Sequence, residues 1–371
     1  MAEQILDLIE TVSNELATEQ KLFAGEGQAV NTSNKPASAQ YKARLVETAV
    51  LVNDILHGNK PGWALREAMS TSDFPYLFGD VIDRLMLGTY NSFPSNWQNW
   101  LKRETVRDFR TVQRHYIDGA QGVLSEVAEG AEYPASSLSE GEYTYAVKKY
   151  GRTIPFTWET LINDDLGAFN DMVQRLGTAA ARSVAKFATD LYCDANGPDA
   201  TFFSSGHNNI ATSNPALSIA GLQTAMSKLA AQTDTDGEPI YIEALELVVP
   251  PALEITAQNI INATQIEVTG GSAIGTQSIY AQNWMRSRVR LNVDPYIPII
   301  ATSNGTTSWF LFASTSVGRP AGTVGFLRGH EAPEIFVKTP NAQRVGGGIN
   351  PMDGDFDTDS ITYKLRHVYG G

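Results

Sequence analysis

Cysteine is almost absent, because the 371-residue chain contains only Cys193. A single cysteine excludes an intrachain disulfide framework and any zinc site with several cysteine ligands. Long apolar runs are absent too: no window reaches the about 18 consecutive apolar residues of a membrane span, and the N-terminus lacks the basic and apolar parts of a secretion signal. We therefore expect a protein that is made in the cytoplasm and does not span a membrane.

Positive charge is in deficit. The chain has 28 Lys and Arg residues against 41 Asp and Glu residues, which gives a formal net charge of −13 at pH 7. A surface of this sign repels phosphate unless a basic face has been segregated, so direct duplex binding is disfavoured. A DNA container is still allowed, because an acidic inner wall would let packaged DNA slide without sticking. The length predicts two or three compact units, or one body with large insertions.

Motifs for catalysis or cofactor binding are missing. Residues 270–276 look like a phosphate loop, but the residue before Thr276 is Gly275 and not the required lysine. The glycines at 346–348 lead into Asn-Pro, where a dinucleotide fingerprint needs a helix. The five histidines are scattered, and none has the spacing of a metal-ligand pair. We therefore predict no cofactor and no enzymatic activity.

Alternating aspartates near the C-terminus suggest a calcium loop. They are Asp353, Asp355, Asp357 and Asp359. Counted from the first, the glycine expected at the sixth position of an EF-hand loop is Thr358, and the glutamate expected at the twelfth is Lys364. We interpret the segment as a solvated surface turn in preference to a weak cation site, and we predict no metal site.

Helical periodicity is present in four places in the first 200 residues. Apolar residues repeat at helical spacing over 5–16 and 45–56, on either side of a tether at 24–40 that is rich in Gly, Ser, Asn and Pro. These two helices either pack on the body or form an arm that reaches a neighbour. A short helix is predicted over 77–86 after a turn at 73–75, and a long one over 166–191 that is capped by residues 163–165, spans on the order of 40 Å and ends near 196–197.

Residues 103–157 read as two long strands around a turn. The middle of this hairpin is acidic and its roots are basic, and a two-stranded ribbon is marginal in water by itself. In an assembly the acidic tip could rest on the basic root of a neighbour, whereas in a monomer it would be a solvated flap. The residues predicted to make these contacts are Glu126, Glu129, Glu132, Glu140, Glu142, Arg107, Arg110, Arg114, Lys148, Lys149 and Arg152.

The C-terminal half has a mixed α/β texture. Helices are predicted over 222–229 and 253–261, and strands over 245–249, 289–293, 309–312, 323–327, 335–337 and 361–369.

This order of elements resembles the HK-ninety-seven-like major capsid proteins of tailed phages, especially Mu-like major head subunits. Five stretches are similar to that family, and their joint order is more specific than any one of them. They are FPYLFG at 74–79, YGRTIPFTWE at 150–159, NDDLGAF at 163–169, GFLRGHEAP at 325–333 and DTDSITYKLRH at 357–367. Together they span roughly residues 64–371.

The resemblance implies an α+β capsid fold with defined segments. These are an N-terminal helix and arm at 1–63, a peripheral domain at 64–102, 158–212 and 331–371, an extended hairpin called the E-loop at 103–157, a spine helix within 158–212 and an inserted α/β axial domain at 213–330.

The resemblance also implies partners. Subunits would form pentamers and hexamers of an icosahedral shell around double-stranded DNA, with portal and scaffolding proteins, and in some relatives a decoration protein, as further partners. Some relatives crosslink a hairpin lysine to a neighbour; Lys148 and Lys149 are present, but no partner residue is identifiable, so no crosslink is expected. Only about 60 residues precede the capsid-like part, so we expect no proteolytic maturation.

Two other functions remain open from the sequence. An encapsulin-type nanocompartment has a similar fold and holds cargo enzymes in place of DNA, and neighbouring genes would distinguish it from a phage protein. An α/β enzyme that uses the 214–330 domain would need a deep apolar pocket with convergent titratable groups, and it would leave the polar hairpin unexplained.

Overall fold

The computed structural model describes residues 74–119, 123–124, 126–127, 129, 132–133, 138–157, 166–211, 214–234, 236–240, 242, 244–271, 275–316, 320–338, 341 and 355–371. The helices predicted at 5–16 and 45–56, the cap residues 163–165 and Asp353 lie outside these residues. Two compact units are present. The first contains the described parts of Met1–Pro94, Lys149–Arg182 and Ala332–His367, and the second those of Ser95–Lys148, Ser183–Glu331 and Val368–Gly371.

The described elements mix helices and strands. The α-helices are α1 (Phe74–Ser92), α2 (Leu166–Asp190), α3 (Ile219–Ala230), α4 (Glu254–Asn262) and α5 (Ile297–Ile300). The strands are β1 (Leu101–Val106), β2 (Val112–Gly119), β3 (Leu138–Tyr145), β4 (Lys148–Thr157), β5 (Cys193–Asp194), β6 (Gly197–Pro198), β7 (Leu245–Val249), β8 (Gln265–Gly271), β9 (Gly275–Gln282), β10 (Val289–Val293), β11 (Phe310–Ala313), β12 (Gly322–Leu327), β13 (Glu334–Val337) and β14 (Ser360–Gly370).

In the first unit, α1 packs very closely against α2. Gly177 of α2 lies against the backbone of α1, where a Cβ atom at this glycine would be only 2.6 Å from the carbonyl oxygen of Met86. Met86 is fully buried, as is Val173 one turn before the glycine. The absence of a side chain at Gly177 therefore determines how near the two backbones come.

The strands of the first unit meet on β14. β13 pairs antiparallel with β14, with Glu334 opposite Arg366, and the Arg366 guanidinium donates to the Glu334 carboxylate from Nε at 3.1 Å. β4 also pairs with β14, and at Gly151 its backbone lies so close that an added Cβ would be 2.5 Å from the carbonyl oxygen of Leu365. The predicted strands at 335–337 and 361–369 are confirmed as β13 and β14.

The second unit contains a three-stranded sheet in the order β10-β7-β11. β7 is parallel to β10 and antiparallel to β11, and all five of its residues are buried. Polar side chains cap the helices α3 and α4 of this unit. The Ser218 hydroxyl accepts from the Gly221 N–H at the start of α3. The Asn283 amide donates to the carbonyls of Ile260 and Ile261 at the end of α4.

A second core cluster of the second unit is rich in aromatic residues. Its rings stack or meet edge to face, for example Tyr192 with Phe310 at 5.0 Å and Trp100 with Phe312 at 6.5 Å between centroids. One carboxylate is buried inside it: Asp294 accepts from the Tyr192 hydroxyl at 2.6 Å and from the Thr189 hydroxyl at 2.7 Å. Burial, followed by the charge of Asp294, raises the pKa of Tyr192 well above its ordinary value.

The long helix predicted from sequence is confirmed, but its end is not. α2 has 25 residues and is about 38 Å long at 1.5 Å per residue. It stops at Asp190 and not near 196–197, because the chain reverses there in the short β5–β6 pair, where the Asp194 carboxylate accepts from the Asn196 N–H at 2.7 Å. Cys193 therefore lies in β5 and not on the helix. Burial, and then the nearby Asp294, raise the pKa of its thiol to about 12.

The other predicted elements are confirmed with small shifts. The helix after the 73–75 turn begins earlier, at Phe74, because Pro75 is accepted in its first turn. The helices at 222–229 and 253–261 and the strands at 245–249, 289–293, 309–312 and 323–327 correspond to α3, α4, β7, β10, β11 and β12. Of the glycine-containing stretch at 270–276, the described residues Gly270, Gly271, Gly275 and Thr276 belong to the paired strands β8 and β9, which were not predicted from the sequence.

We predict that Gly177→Ala destabilises the protein by about 1–3 kcal/mol, since the added methyl group would press on the Met86 carbonyl and force the helices apart. Ala is a better helix former than Gly by about 1 kcal/mol, so an unhindered helical site would respond in the opposite direction. Thermal denaturation of the unassembled subunit measures the change. Gly206→Ala is the control, because the nearest atom to its Cβ is the Ser204 hydroxyl at 3.7 Å. An unchanged or raised Tm for Gly177→Ala would contradict the close packing.

Candidate assembly site

The polar hairpin exists, but it is shorter than predicted. β2 and β3 pair antiparallel over eight residues each, from Val112 opposite Tyr145 to Gly119 opposite Leu138. We call this pair the ribbon. The prediction of two long strands over 103–157 was wrong in its pairing, since β1 pairs in parallel with β12 and β4 pairs with β14.

Glutamates extend along the outer half of the ribbon. Glu140 and Glu142 of β3 are exposed and lie opposite Ile117 and His115 of β2. The His115 Nδ1 atom is 3.9 Å from the Glu142 carboxylate, a solvent-exposed pair that contributes little to stability. The ribbon therefore carries its acidic side chains in solvent.

The described residues beyond the ribbon, which we call the tip, combine acidic and apolar side chains. Glu126, Glu129 and Glu132 are all exposed. Three apolar side chains are also almost fully exposed: Val123 at 80%, Leu124 at 95% and Tyr133 at 82%. Apolar side chains at such exposure are typical of a surface that is covered in an assembly when they form one patch.

The basic residues predicted to receive the tip fall into three groups. Arg107, Arg110 and Lys148 of the second unit are exposed, and in the described part of the chain none of them forms an ion pair. Lys149 and Arg152 are exposed in the first unit. Arg114 is different, because its Nη2 atom is 3.0 Å from the Glu104 carboxylate within the same chain.

Glu104 connects the ribbon to β1. Its carboxylate lies 2.9 Å from the Lys102 ammonium and 3.0 Å from Arg114, and it accepts from the Tyr145 hydroxyl at 3.3 Å. Partial burial alone would raise the pKa of Glu104, but the hydrogen bond from Lys102 and the charge of Arg114 outweigh it and lower that pKa below its ordinary value. Glu104 was not predicted as a functional residue from the sequence. The one indication was its position two residues after Lys102, which places both side chains on the same face of a strand.

The base of the ribbon is also fixed by packing. The Tyr145 ring covers Gly325 of β12, where an added Cβ would be 2.5 Å from Cε2 of the tyrosine. Val106, Tyr145, Val147, Leu327 and Val368 are buried together beside it. The base of the ribbon is thus fixed by a small apolar cluster and an ion-paired glutamate. Beyond it the tip glutamates are exposed, and the Val123 N–H donates to the Glu238 carboxylate of the same unit at 3.3 Å.

Comparison with protein families decides what such a molecule is. A family model described as phage capsid protein matches residues 141–371, which is more than half of the chain. The chain belongs to the phage capsid protein family. The capsid protein is therefore a structural component of the virion, a major capsid subunit that associates with its own copies in an icosahedral shell, and the encapsulin alternative is not favoured.

Solved capsid structures resemble the capsid protein at low sequence identity. A chain of Microbacterium phage Oxtober96 is 10% identical with a TM-score of 0.41, and the match covers 75% of this chain and 84% of that one. The capsid of Ralstonia phage GP4 gives 11% identity, a TM-score of 0.44 and coverages of 73% and 81%. The capsid of bacteriophage JBD30, decorated with minor capsid protein trimers, gives 12% identity and a TM-score of 0.41, and the match covers 55% of this chain and 91% of that one. No curated protein matches the sequence.

The described part of the capsid protein contains neither a membrane-spanning helix nor a metal-binding cluster. No helix there is long and apolar enough to cross a membrane. No group of three or more His, Cys, Asp and Glu side chains there is arranged to hold a metal ion. The aspartates Asp355, Asp357 and Asp359 form a turn at the surface, in which Asp355 lies 3.5 Å from the Lys338 ammonium.

We predict that Glu104→Gln lowers the free energy of unfolding at pH 7 by about 1 kcal/mol, since two cations lose their carboxylate partner. Because the folded-state pKa of Glu104 is lowered, its contribution is complete above the ordinary value of 4.5 and is lost as the pH falls through the lower folded value. The difference between wild type and variant should therefore disappear in acid. Denaturant unfolding between pH 3 and 7 measures it.

Glu142→Gln is the matched control, because that carboxylate is exposed and, among the described residues, is paired with His115 alone, at 3.9 Å. A pH-independent loss in Glu104→Gln, or an equal loss in the control, would show that the ion pairs at Glu104 do not hold the ribbon.

Proposed function

We propose that the ribbon and its tip are the E-loop of the capsid protein, which lies on a neighbouring subunit within pentamers and hexamers. The observation that carries this proposal is the exposure of Val123, Leu124 and Tyr133 beside three glutamates at the tip. In an isolated subunit these apolar side chains would stay in water. On a neighbour they would be covered, and the glutamates would meet cations that set the position of the contact.

The receiving surface in this proposal is the set of basic residues named from the sequence. Arg107, Arg110, Lys148, Lys149 and Arg152 are exposed and suited to that role. Arg114 is less suited, because Glu104 already neutralises it within its own chain. Exposed ion pairs add little affinity individually, so the charges would select the register of the contact while apolar burial stabilises it.

The remaining segments are proposed to follow the capsid arrangement. α2, at about 38 Å, would be the spine helix. Residues 213–330, with the β10-β7-β11 sheet, would be the axial domain, and 64–102, 158–212 and 331–371 would contribute the peripheral domain. Residues 1–63 would form the N-terminal helix and arm.

The proposed shell encloses double-stranded DNA without reading its sequence. The net charge of −13 disfavours tight phosphate binding, which suits a wall along which packaged DNA must move. Portal and scaffolding proteins, and a decoration protein, are proposed as its further partners.

Negative-stain electron microscopy of the protein expressed alone tests the proposal most directly. We expect hollow shells, or rings of five and six subunits. Monomers and dimers that remain unassembled even with a co-expressed scaffolding protein would contradict it.

We predict that reversing the three tip charges, Glu126→Lys, Glu129→Lys and Glu132→Lys, abolishes regular particles at physiological salt, because cations of the tip would then face cations of the neighbour. The control variant places the same three charges at Asp190, Asp357 and Asp359, which are exposed and lie outside the tip segment in sequence. Regular particles from the tip variant, or an equal loss of particles in the control, would contradict the proposal that the tip docks on a neighbour.

A further inference from the structure

A polar cleft of about 920 Å³ opens at one end of the three-stranded sheet in the second unit. It lies where β7 and β10 begin and β11 ends, so four separate segments of the chain line it. Three arginines, Arg286, Arg288 and Arg290, contribute one side, and the hydroxyl residues Ser314, Thr315 and Ser316 contribute another. The cleft thus concentrates cations and hydroxyl groups in a protein whose net charge is −13.

One carboxylate, Glu246, belongs to this cleft, and it is only 2% exposed. Its Oε2 atom accepts from the Asn292 amide at 2.6 Å, and Asn292 in turn accepts from the Asn99 amide at 2.7 Å. Its Oε1 atom lies 3.8 Å from the Arg290 guanidinium. Glu246 is therefore held by its own chain and offsets one of the three positive charges.

The arginines are placed to meet a ligand. Arg288 is positioned by the backbone, because its Nη2 atom donates to the Ile242 carbonyl at 3.2 Å. The Arg290 side chain is 70% exposed in spite of its contact with Glu246. Arg286 is exposed as well, and among the described residues it has neither an ion pair nor a hydrogen bond from its side chain. Two guanidinium groups at the cleft can therefore receive an oxyanion.

The hydroxyl side of the cleft is built by local hydrogen bonds. The Thr315 hydroxyl donates to the Gln98 carbonyl at 3.2 Å, and the Thr315 N–H donates to the Asn99 carbonyl at 3.0 Å. The Ser314 N–H donates to the Ala244 carbonyl at 3.0 Å. These bonds fix the residues after β11 against the start of β7 and against residues 98–99, so the cleft does not depend on a ligand for its shape.

We propose that this cleft is a subunit contact that binds carboxylate side chains of a second copy of the chain. The inference rests on the proposed function, since a subunit of a shell is surrounded by copies of itself. Copies with a charge of −13 repel one another unless local cations meet acidic surface, and 41 acidic residues per copy supply the partner groups. A guanidinium group binds a carboxylate through two parallel hydrogen bonds, which gives the contact direction as well as attraction.

The first test is Arg286→Gln, compared with Arg328→Gln, an exposed arginine of the same unit outside the cleft. Because Arg286 has no partner in the described part of its own chain, its loss should leave the Tm of the unassembled subunit unchanged. We expect the subunit concentration required for shell assembly to rise about tenfold for Arg286→Gln and to stay unchanged for Arg328→Gln. High salt should reduce this difference. Equal assembly of the two variants would overturn the inference.

The second test identifies the occupant. Arg286→Lys keeps the charge and adds an amine that a carbodiimide can join to a nearby carboxylate. Shells assembled from mixed isotope-labelled and unlabelled subunits should give crosslinked peptides that join Lys at 286 of one copy to an Asp or Glu of another. Crosslinks to Glu246 of the same chain alone, or none, would contradict the inference.

The outcomes separate this inference from the proposed function. If the wild-type protein formed no shell at all, the result would contradict the proposed function itself. Normal shells with no effect of Arg286→Gln would remove only the cleft contact. A defect that appears solely in DNA-filled particles, and not in empty shells, would assign the cleft to nucleic acid and overturn the contact between copies.

Discussion

The parallel pairing of β1 with β12 determines where the exposed part of the second unit begins. It joins Leu101–Val106 to Gly322–Leu327, segments more than 200 residues apart in sequence, and so brings Gly325 beneath the Tyr145 ring. Glu104, on the same strand, meets Lys102 and Arg114 at that point. A two-stranded ribbon is marginally stable alone. Without this base, nothing in its own unit would fix the direction of the ribbon.

The carboxylates of this protein fall into two groups, those that are buried and paired within the subunit and those that are exposed to solvent. Glu246 and Asp294 are buried, and each accepts hydrogen bonds from neutral side chains of its own unit. The glutamates of the tip have no such partners among the described residues and stay in solvent. Buried carboxylates need their partners in every state of the subunit, because an unpaired buried charge is costly. Exposed ones can exchange water for a neighbour at low cost, which suits a contact that must form reversibly during assembly.

Local patterns in the sequence predicted most elements of the fold. The period of 3.6 residues located α2, and the alternation of apolar residues in β7 and β10 located those strands. The pairing of the strands could not be read in the same way, because a period of two residues indicates a strand without indicating its partner. That is why β1 was assigned to the hairpin when its partner is β12. The β8–β9 hairpin was missed because the alternation of Ile266 and Val268 with polar residues is short and ends at Gly270, and β9 begins with four residues that are glycine or polar.

In the candidate sites too, features that depend on local sequence were predicted, and features that depend on distant segments meeting were not. The glutamates at 126, 129 and 132 were visible as a cluster in sequence, and they are exposed in the structure. The neutralisation of Arg114 by Glu104 was not visible, since it depends on two strands meeting. The arginine cleft was missed for a related reason: its lining comes from Asn99, from 244–246, from 286–290 and from 314–316, and only folding brings these together.

Cys193 gives the shell a property that its assembly does not require. The thiol is 2% exposed, and its pKa of about 12 leaves almost no reactive thiolate at neutral pH. It is also the only cysteine of the chain. The native surface therefore offers no reactive thiol, and a cysteine introduced at an exposed position such as Asp357 would be the sole site for maleimide chemistry. Each subunit could then carry one dye or one cargo molecule, repeated with the symmetry of the particle.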